Sequence, residues 1–334
     1  MKELDCIELP VLLGSRLIYN SNYPNDSLLY FHDVENHENV LVCKLAKDGV
    51  VLMDTVKIPS AAKPFEMFML AYDSIACFEH VPNRMMILLR NDGSVIDTLN
   101  LDNGWPYVNS ISQHPRLGNS VCFANTDDTL ALKGIMRSEY YGAVRPVYQY
   151  DFASGEGKTW GSFPESFATA LGFEETPKIC AVDDSTAVLS FMCVDSLYLY
   201  VNGVLKSRHH CKSRHIDRFP EYDTTKVFDL GYYRQFIHAR PEYLDLLYDP
   251  SSQRFFRTAL HEQPHEEQGK QITKTNRTWS LMVINKELEV EDEYLFRNME
   301  HLPFYVIPDR RGVFVSKTPV DENDLQLKLS LFKP

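Results

Sequence analysis

Several motifs that would assign an enzyme class are absent from this sequence of 334 residues. It contains no complete phosphate-binding P-loop, no dinucleotide-binding glycine pattern and no Gly-x-Ser-x-Gly turn. No apolar run approaches the roughly 20 residues that span a bilayer, and residues 1–5 lack the apolar stretch of a signal peptide. The sequence therefore predicts no transmembrane segment, and it selects no familiar class of enzyme.

Positive charge is scarce as well. Lys and Arg number 34 against 46 Asp and Glu, which gives a formal net charge of −12. A broad phosphate-binding surface needs clustered Lys and Arg, so this composition disfavours nucleic-acid binding.

Cysteines at Cys-x-x-Cys spacing are missing too. The chain has seven cysteines, an odd number, so at least one is unpaired within a monomer. They are Cys6, Cys43, Cys77, Cys122, Cys180, Cys193 and Cys211. Because several lie in apolar, strand-like runs, we predict buried free thiols.

The informative feature of the sequence is an internal repeat. An apolar run, a short polar turn and a second apolar run, as in 68–71 and 74–78, recur six times. The other copies are 17–19 with 28–31, 108–112 with 120–123, 179–181 with 186–191, 246–248 with 254–257, and 306–307 with 312–315. We interpret each copy as two antiparallel strands, A and B.

A second hairpin, of strands C and D, follows five of the six copies. Turns such as Asp92-Gly93 and Asn202-Gly203 supply the positive φ angles that tight hairpins need. The predicted C and D strands are 40–46 and 50–58, 84–90 and 94–101, 147–152 and 158–163, 197–201 and 204–208, and 279–284 and 288–296. The sixth C strand, 325–332, has no D strand after it.

The missing D strand is predicted at the other end of the chain. Residues 4–10, Leu-Asp-Cys-Ile-Glu-Leu-Pro, match the pattern of the D strands at 53–59 and 96–102. Pairing residues 4–10 with 325–332 would close a ring and remove exposed sheet edges. We therefore predict one all-β domain over residues 1–334, a six-bladed β-propeller closed by its N-terminal strand. Seven blades and a β-sandwich are the alternatives.

Function is predicted on the side of the long connections. In antiparallel sheets the A–B and C–D turns share one end, and the long stretches 125–146, 163–177, 211–243 and 261–277 fall at the other.

One helix is predicted, over residues 162–171, because Pro164 comes early and Gly172 follows it.

The long connections carry aromatic residues beside arginines, a combination that suits sugar rings, peptides or carboxylates. The candidate ligand-binding residues are Trp105, Tyr107, Tyr140, Tyr141, Arg145, Tyr232, Tyr233, Arg234, His238 and Arg240. The alternative is that these side chains only pack the connections onto the sheets.

Two histidine-containing segments have some of the letters of metal sites. His261-Glu262-Gln263-Pro264-His265 matches the zinc-protease pattern, but Pro264 would break the helix that this pattern requires, so a solvated loop is predicted. The histidines and Cys211 within 208–215 are crowded at a strand end and lack a second spaced pair of ligands. We predict no metal and no cofactor, and we assign no catalytic residue.

The C-terminal third resembles a known family. Tyr248-Asp249-Pro250 leading to 254–257 is similar to its tyrosine-aspartate element with two aromatics and an arginine, and 279–285, 312–316 and 327–332 look like its closing blades. The family comprises uncharacterised bacterial envelope lipoproteins with a propeller-like domain of unknown function (DUF4221). The resemblance implies a location in the periplasm or as an outer-membrane lipoprotein, and no established chemistry. Cys6 does not fit a lipobox, so any lipidated cysteine is expected upstream of Met1.

These observations favour a non-enzymatic propeller that binds a glycan, a peptide or an envelope protein. A protein–protein interaction scaffold is one alternative. The other is a glycosidase or lyase with carboxylates at the mouth of the channel; Asp and Glu are abundant enough for it, but nothing in the sequence selects a pair.

Overall fold

The computed structural model describes most of the chain. The described residues are 2–12, 16–22, 27–33, 39–46, 49–58, 66–71, 74–79, 85–90, 92, 94–100, 115–125, 137–168, 177–221, 223–226, 229–264, 266–267, 270–271, 277–297, 300–319 and 326–333. They form two compact units, Met1–Trp105 with Phe304–Pro334, and Pro106–Pro303. We call these unit 1 and unit 2.

Unit 1 contains three four-stranded antiparallel sheets. Sheet I is β2 (Arg16–Asn22), β3 (Ser27–His32), β4 (Asn39–Ala46) and β5 (Gly49–Lys57); sheet II is β6 (Glu66–Ala71), β7 (Ser74–Glu79), β8 (Met85–Arg90) and β9 (Val95–Asn100). Sheet VI is β24 (His301–Asp309, of which 304–309 belong to unit 1), β25 (Gly312–Lys317), β26 (Gln326–Lys333) and β1 (Lys2–Leu12). Leu9, Phe31 and Phe314 lie in one buried cluster that joins sheets VI and I.

Unit 2 contains the other three four-stranded sheets and one small hairpin. Sheet III is β10 (Arg116–Leu117), β11 (Ser120–Ala124), β12 (Val147–Asp151) and β13 (Glu156–Trp160); sheet IV is β14 (Lys178–Ala181), β15 (Thr186–Ser190), β16 (Ser196–Val201) and β17 (Val204–His210). Sheet V is β18 (Glu242–Asp249), β19 (Arg254–Leu260), β22 (Trp279–Ile284) and β23 (Val290–Phe296), with the hairpin β20 (Glu266–Glu267) and β21 (Lys270–Gln271) between β19 and β22. The helices are α1 (Arg137–Ala143) and α2 (Leu230–Ala239).

The strands of unit 2 that lie in the middle of a sheet are mostly buried on both faces. All six residues of β22 are buried, and so are all five residues of β11. One buried cluster joins sheets III and IV through Trp160, Leu189 and Tyr200, and another joins sheets IV and V through Val188, Phe255 and Met282. Burial on both faces explains why these strands read as continuous apolar runs in the sequence.

The predicted pairing of the two termini is confirmed. β1 pairs antiparallel with β26, with Cys6 opposite Ser330 and Ile7 opposite Leu329. The N-terminal strand is thus the fourth strand of the last sheet, as its sequence pattern indicated.

The fourth strand of five sheets contains a bulge at a comparable position. One residue has no partner in the register of each strand, and Asp or Ser follows it. The unpaired residues are Leu4 in β1, Met53 in β5, Ile96 in β9, Lys206 in β17 and Glu291 in β23. Asp54 and Asp97 each accept a hydrogen bond at 2.7 Å from the next backbone N–H, so the carboxylate takes over a donor that the ladder would otherwise use.

Three predictions about secondary structure need correction or fall outside the described residues. The strand that pairs with β11 is β10, whereas the predicted strand 108–112 lies outside the described residues. The predicted helix at 162–171 is a single 3-10 turn at Glu165–Ala168, and residues 169–171 lie outside the described part. α1 and α2 were not predicted, because their apolar residues do not follow a helical period clearly and α2 contains Gly231.

The cysteine prediction is confirmed for four residues. The free thiols of Cys43, Cys122, Cys180 and Cys211 are buried. Burial raises the pKa of Cys43 and of Cys122 to about 12, which keeps both as inert thiols. Cys6, in contrast, is exposed.

Candidate functional site

The long connections of unit 2 all leave from one end of its sheets. These are residues 125–146 between β11 and β12, 161–177 between β13 and β14, 211–241 between β17 and β18, and 261–278 between β19 and β22. The turns at the opposite end are two to five residues long. A set of buried polar side chains at the long-connection end fixes two of these segments, 211–241 and 261–278, to the sheets.

Arg257 on β19 is the centre of this set. It is fully buried, and its guanidinium donates hydrogen bonds to Ser190 Oγ at 3.1 Å and to the carbonyls of Phe191, Val194 and Cys211 at 3.3, 2.8 and 3.1 Å. Burial lowers the pKa of Arg257 to about 10, so the group stays charged at neutral pH. One arginine on sheet V therefore holds the short β15–β16 connection and the first residue of the 211–241 connection.

Tyr243 on β18 binds the same two connections as Arg257, the β15–β16 connection and the 211–241 connection. The Arg257 guanidinium lies 3.3 Å from the centre of its ring. Its hydroxyl donates to Asp195 Oδ1 at 2.7 Å and accepts from the Ser213 backbone N–H at 3.0 Å. Burial is the main cause that raises the pKa of Tyr243, so the hydroxyl keeps its proton.

Glu293 on β23 continues the network. Its carboxylate accepts hydrogen bonds at 2.5 Å from Ser213 Oγ and from Ser280 Oγ, and one at 2.7 Å from the Arg214 backbone N–H. Ser280 Oγ also lies 2.9 Å from Nε2 of His261. Three donors therefore satisfy the two oxygens of this buried carboxyl group.

His261 connects this network to the surface, and its environment corrects one prediction. A solvated loop was predicted at this position, but His261 is buried, and its ring packs against that of exposed His215 with 5.0 Å between the centroids. Burial is the main cause that lowers the pKa of His261 to about 4; neighbouring His215 and Arg277 add to the shift, and Glu293 opposes it. Glu262 and Pro264 are exposed, as a solvated loop requires, so the prediction is wrong only for His261; an isolated polar segment gives no sign that its first residue follows a buried strand directly. His265 lies outside the described residues.

Arg277 fixes the C-terminal end of α2 by hydrogen bonds to backbone carbonyls, as Arg257 does for the other connections. It is buried, and its Nη2 donates to the carbonyls of Ala239, Arg240 and His261. Burial lowers the pKa of Arg277 to about 10, and the carboxylate of Glu242 opposes that shift. The end of α2 is thereby tied to the end of β19.

α2 presents the densest group of predicted site residues. Asp229 caps it by accepting from the Tyr232 backbone N–H at 2.9 Å, and the Arg240 N–H closes it by donating to the Phe236 carbonyl. None of its ten residues is buried, although Tyr232, Tyr233, Phe236 and His238 are half-buried and Arg234 is exposed. The Lys226 ammonium lies 4.6 Å from the Tyr232 ring centre, and the Arg240 guanidinium lies 5.5 Å from that of Phe236. Arg240 itself is buried.

The second predicted group comprises Tyr140 and Tyr141 on α1 and Arg145 just after it, and Tyr141 packs against other aromatic side chains. Tyr141 is half-buried, and its ring contacts Phe163 and Phe167 at 5.0 and 5.3 Å and Tyr140 at 5.4 Å. Arg145 is exposed and donates to the Gly161 carbonyl. The described contacts of α1 thus run to the 3-10 turn at Glu165–Ala168, while those of α2 run to Lys226 and Arg277. Trp105 and Tyr107 lie outside the described residues.

No group of three His, Cys, Asp or Glu side chains that could hold a metal is found in the described part of the chain. Within 208–215, His209 Nε2 lies 2.8 Å from Ser207 Oγ, and the buried Cys211 thiol donates to the Leu288 carbonyl. Nor is any helix of the described ranges long and apolar enough to cross a membrane.

Sequence reasoning missed the buried polar network altogether. The available signal was a single charged residue inside an apolar strand, as with Arg257 in Phe255–Leu260. A buried charge must be paired or hydrogen-bonded, so such a residue predicts a fixed partner set nearby.

Comparison with known proteins identifies the fold. No family model and no curated protein matches the chain. Among solved structures, the chain is similar to a DUF4221 family member from Bacteroides vulgatus, at 14% identity and a TM-score of 0.76, over 99% of this chain and 97% of that one. The chain has a β-propeller fold. The resemblance that residues 248–257 and the last strands indicated is therefore confirmed at the level of this propeller fold.

Two enzymes also match along nearly the whole propeller. A gluconolactonase from Xanthomonas campestris has 11% identity and a TM-score of 0.44, covering 99% of this chain and 98% of that one. A streptogramin B lyase has 10% identity and a TM-score of 0.45, covering 98% and 96%. Similarity of this degree supports no inference about chemistry.

Proposed function

We propose that the chain is a non-enzymatic ligand-binding β-propeller of the bacterial cell envelope, and that its ligand, a glycan or a peptide, binds at α2 on the long-connection end of unit 2. We further propose that its six four-stranded sheets are six blades, closed into one domain by the pairing of β1 with β26. Attachment to the envelope through a lipid upstream of Met1 belongs to the same proposal and rests on the DUF4221 resemblance alone.

The exposure of α2 is the observation that carries the ligand-binding proposal. A helix that only packs a connection onto a sheet buries an apolar face. α2 contains two tyrosines and a phenylalanine, yet none of its residues is buried, while both of its ends are fixed by Asp229 and Arg277. A rigidly held helix that carries half-buried aromatic side chains beside the exposed Arg234 suits recognition, because little conformational entropy is lost on binding.

A thermal-shift screen against neutral and acidic oligosaccharides and short peptides tests this proposal. A ligand at 100 times its dissociation constant adds about 2.7 kcal/mol to the stability of the native state, enough to raise Tm measurably. We expect a shift with one ligand class, and we expect Tyr233→Ala with Arg234→Ala to abolish it. The matched control is Arg90→Ala, which removes an exposed arginine from unit 1 and should leave the shift unchanged.

Three outcomes would contradict parts of the proposal. A shift that survives the α2 double variant would place the ligand elsewhere. Turnover of a shifted ligand, detected by chromatography, would favour the alternative of a glycosidase or lyase. No shift with any probe, together with capture of a defined envelope protein, would favour an interaction scaffold. Fractionation of cells expressing the full-length protein tests the envelope location.

A further inference from the structure

The fourth strands of the sheets differ in one respect that bears on partner binding. Five of the six contain the bulge described above, followed by Asp or Ser. A bulge interrupts the row of N–H and C=O groups on the free side of an edge strand, and a charged side chain there adds to the interruption. These five edges are therefore poor templates for a further strand.

β13, the fourth strand of sheet III, is the exception. Its register with β12 is regular over all five pairs, from Asp151 opposite Glu156 to Val147 opposite Trp160. Residues 156–159 are exposed, and only Trp160 is buried. Within the described residues no further strand pairs with the other side of β13, which therefore offers an uninterrupted edge of main-chain groups.

The charges along β13 are complementary to themselves. Glu156 and Lys158 flank Gly157 on the exposed part of the strand. If a second β13 lies antiparallel to the first with the two Gly157 residues opposite each other, Glu156 faces Lys158 of the partner subunit on both sides. Opposite charges at directly facing positions stabilise an antiparallel pair, and like charges destabilise it. Gly157 has no side chain of its own, and the Tyr148 ring of β12 lies where its Cβ would be, so Tyr148 covers one face of the centre of the pair.

We propose that two copies of this chain associate through β13, forming a symmetric antiparallel strand pair centred on Gly157. A two-fold arrangement uses the same patch on both subunits and closes without further growth, as such a self-complementary edge requires. A pair of five-residue strands buries much less surface than a standard stable interface, so the dimer is weak and forms only at high concentration or when the protein is confined, for example at a surface.

Sedimentation equilibrium over a wide range of concentrations, up to the millimolar, tests this proposal with charge reversals. We expect the native protein to show a monomer–dimer equilibrium. Glu156→Lys alone, or Lys158→Glu alone, places like charges opposite each other twice and should weaken dimerisation about tenfold or more. The double reversal restores complementarity and should restore the dimer. Mixing the two single variants should give a heterodimer, because one then carries only Lys and the other only Glu at these positions.

Lys286→Glu and Glu287→Lys are the matched controls. They lie next to each other in the turn between β22 and β23, are well exposed, and change the net charge by the same amounts. Both should dimerise like the native protein. A native protein that stays monomeric at every concentration would overturn the proposal. So would a dimer that responds equally to the control and test variants, or one that the double reversal does not restore.

Discussion

Replacing Arg257 should destabilise the protein far more than replacing a neighbouring arginine on the same strand. In Arg257→Met the side chain remains long and apolar, but the four acceptors that the guanidinium binds lose their donor. Hydrogen bonds from a charged donor are each worth about 1.5–3 kcal/mol net, and a buried acceptor left without a donor costs about 1–3 kcal/mol. Part of this loss is offset, because water can solvate some of the freed acceptors and because the variant no longer has to bury a charge. We therefore expect a decrease of about 3–5 kcal/mol in the free energy of unfolding.

Arg254→Met is the internal control. Arg254 lies three residues earlier on β19, is partly exposed, and pairs with Glu291 at 2.8 Å on the surface. Exposed ion pairs of this kind contribute about 0.2–1 kcal/mol. Urea unfolding of both variants should give a small shift of the midpoint for Arg254→Met and a large one for Arg257→Met.

Hydrogen exchange would show where the loss is felt. Because Arg257 holds the carbonyls of Phe191, Val194 and Cys211, the amides of 191–195 and 211–213 should lose protection first in Arg257→Met. If the two variants differ by less than about 1 kcal/mol, or if those amides remain as protected as in the native protein, Arg257 does not hold the connections and the reasoning is wrong.

Further perturbations test the same structure. Gly312 has φ +149°, and a Cβ on it would lie 2.1 Å from the Phe332 carbonyl oxygen. Gly312→Ala should therefore lower the free energy of unfolding, measured in urea, by about 2–3 kcal/mol. The control is Gly118→Ala, which should cost about 1 kcal/mol because the atom nearest to its Cβ is 3.6 Å away. The pKa of His261 is about 4 in the folded state and near 6.5 in the unfolded state. As the pH falls from about 6.5 to 4, the unfolded state therefore binds a proton before the folded state does. The free energy of unfolding should decrease by up to about 3 kcal/mol over this pH range. His261→Asn should flatten this dependence in urea titrations run at a series of pH values. Tyr243→Phe leaves two polar partners unsatisfied and should cost about 1–2 kcal/mol by the same assay, while hydrophobic packing is retained.

Much of the strand pattern could be predicted from the sequence because each element has a local cause. Asn202-Gly203 has positive φ at both residues, as its hairpin required, and the apolar runs lie where both faces are covered. The match of residues 4–10 to two other D strands had a cause that became visible only in the structure. The residue before the aspartate, Leu4, Met53 or Ile96, is the bulge in each of these strands.

The helices and the site could be predicted only in part, since their causes are not local. α2 contains Gly231 and aromatic residues with modest helix propensity, and the Asp229 cap alone was too weak a signal. The burial of His261 depends on His215 and on Ser280, which are distant in the sequence. The aromatic residues of the connections were found, but composition does not show that Tyr141 packs on Phe167 or that the aromatic residues of α2 are half-buried.

The element that first suggested a family can be explained residue by residue, and the explanation limits what it can tell. Tyr248 packs against Phe255 with 4.7 Å between the ring centroids, and Asp249 accepts hydrogen bonds from Ser251 and Ser252 in the turn between them. Arg257 ends the element and holds the connections of the neighbouring sheet. Every one of these interactions builds sheet V or fixes it to sheet IV. Proteins that share this element are therefore expected to share the propeller fold, and the element itself carries no information about a ligand.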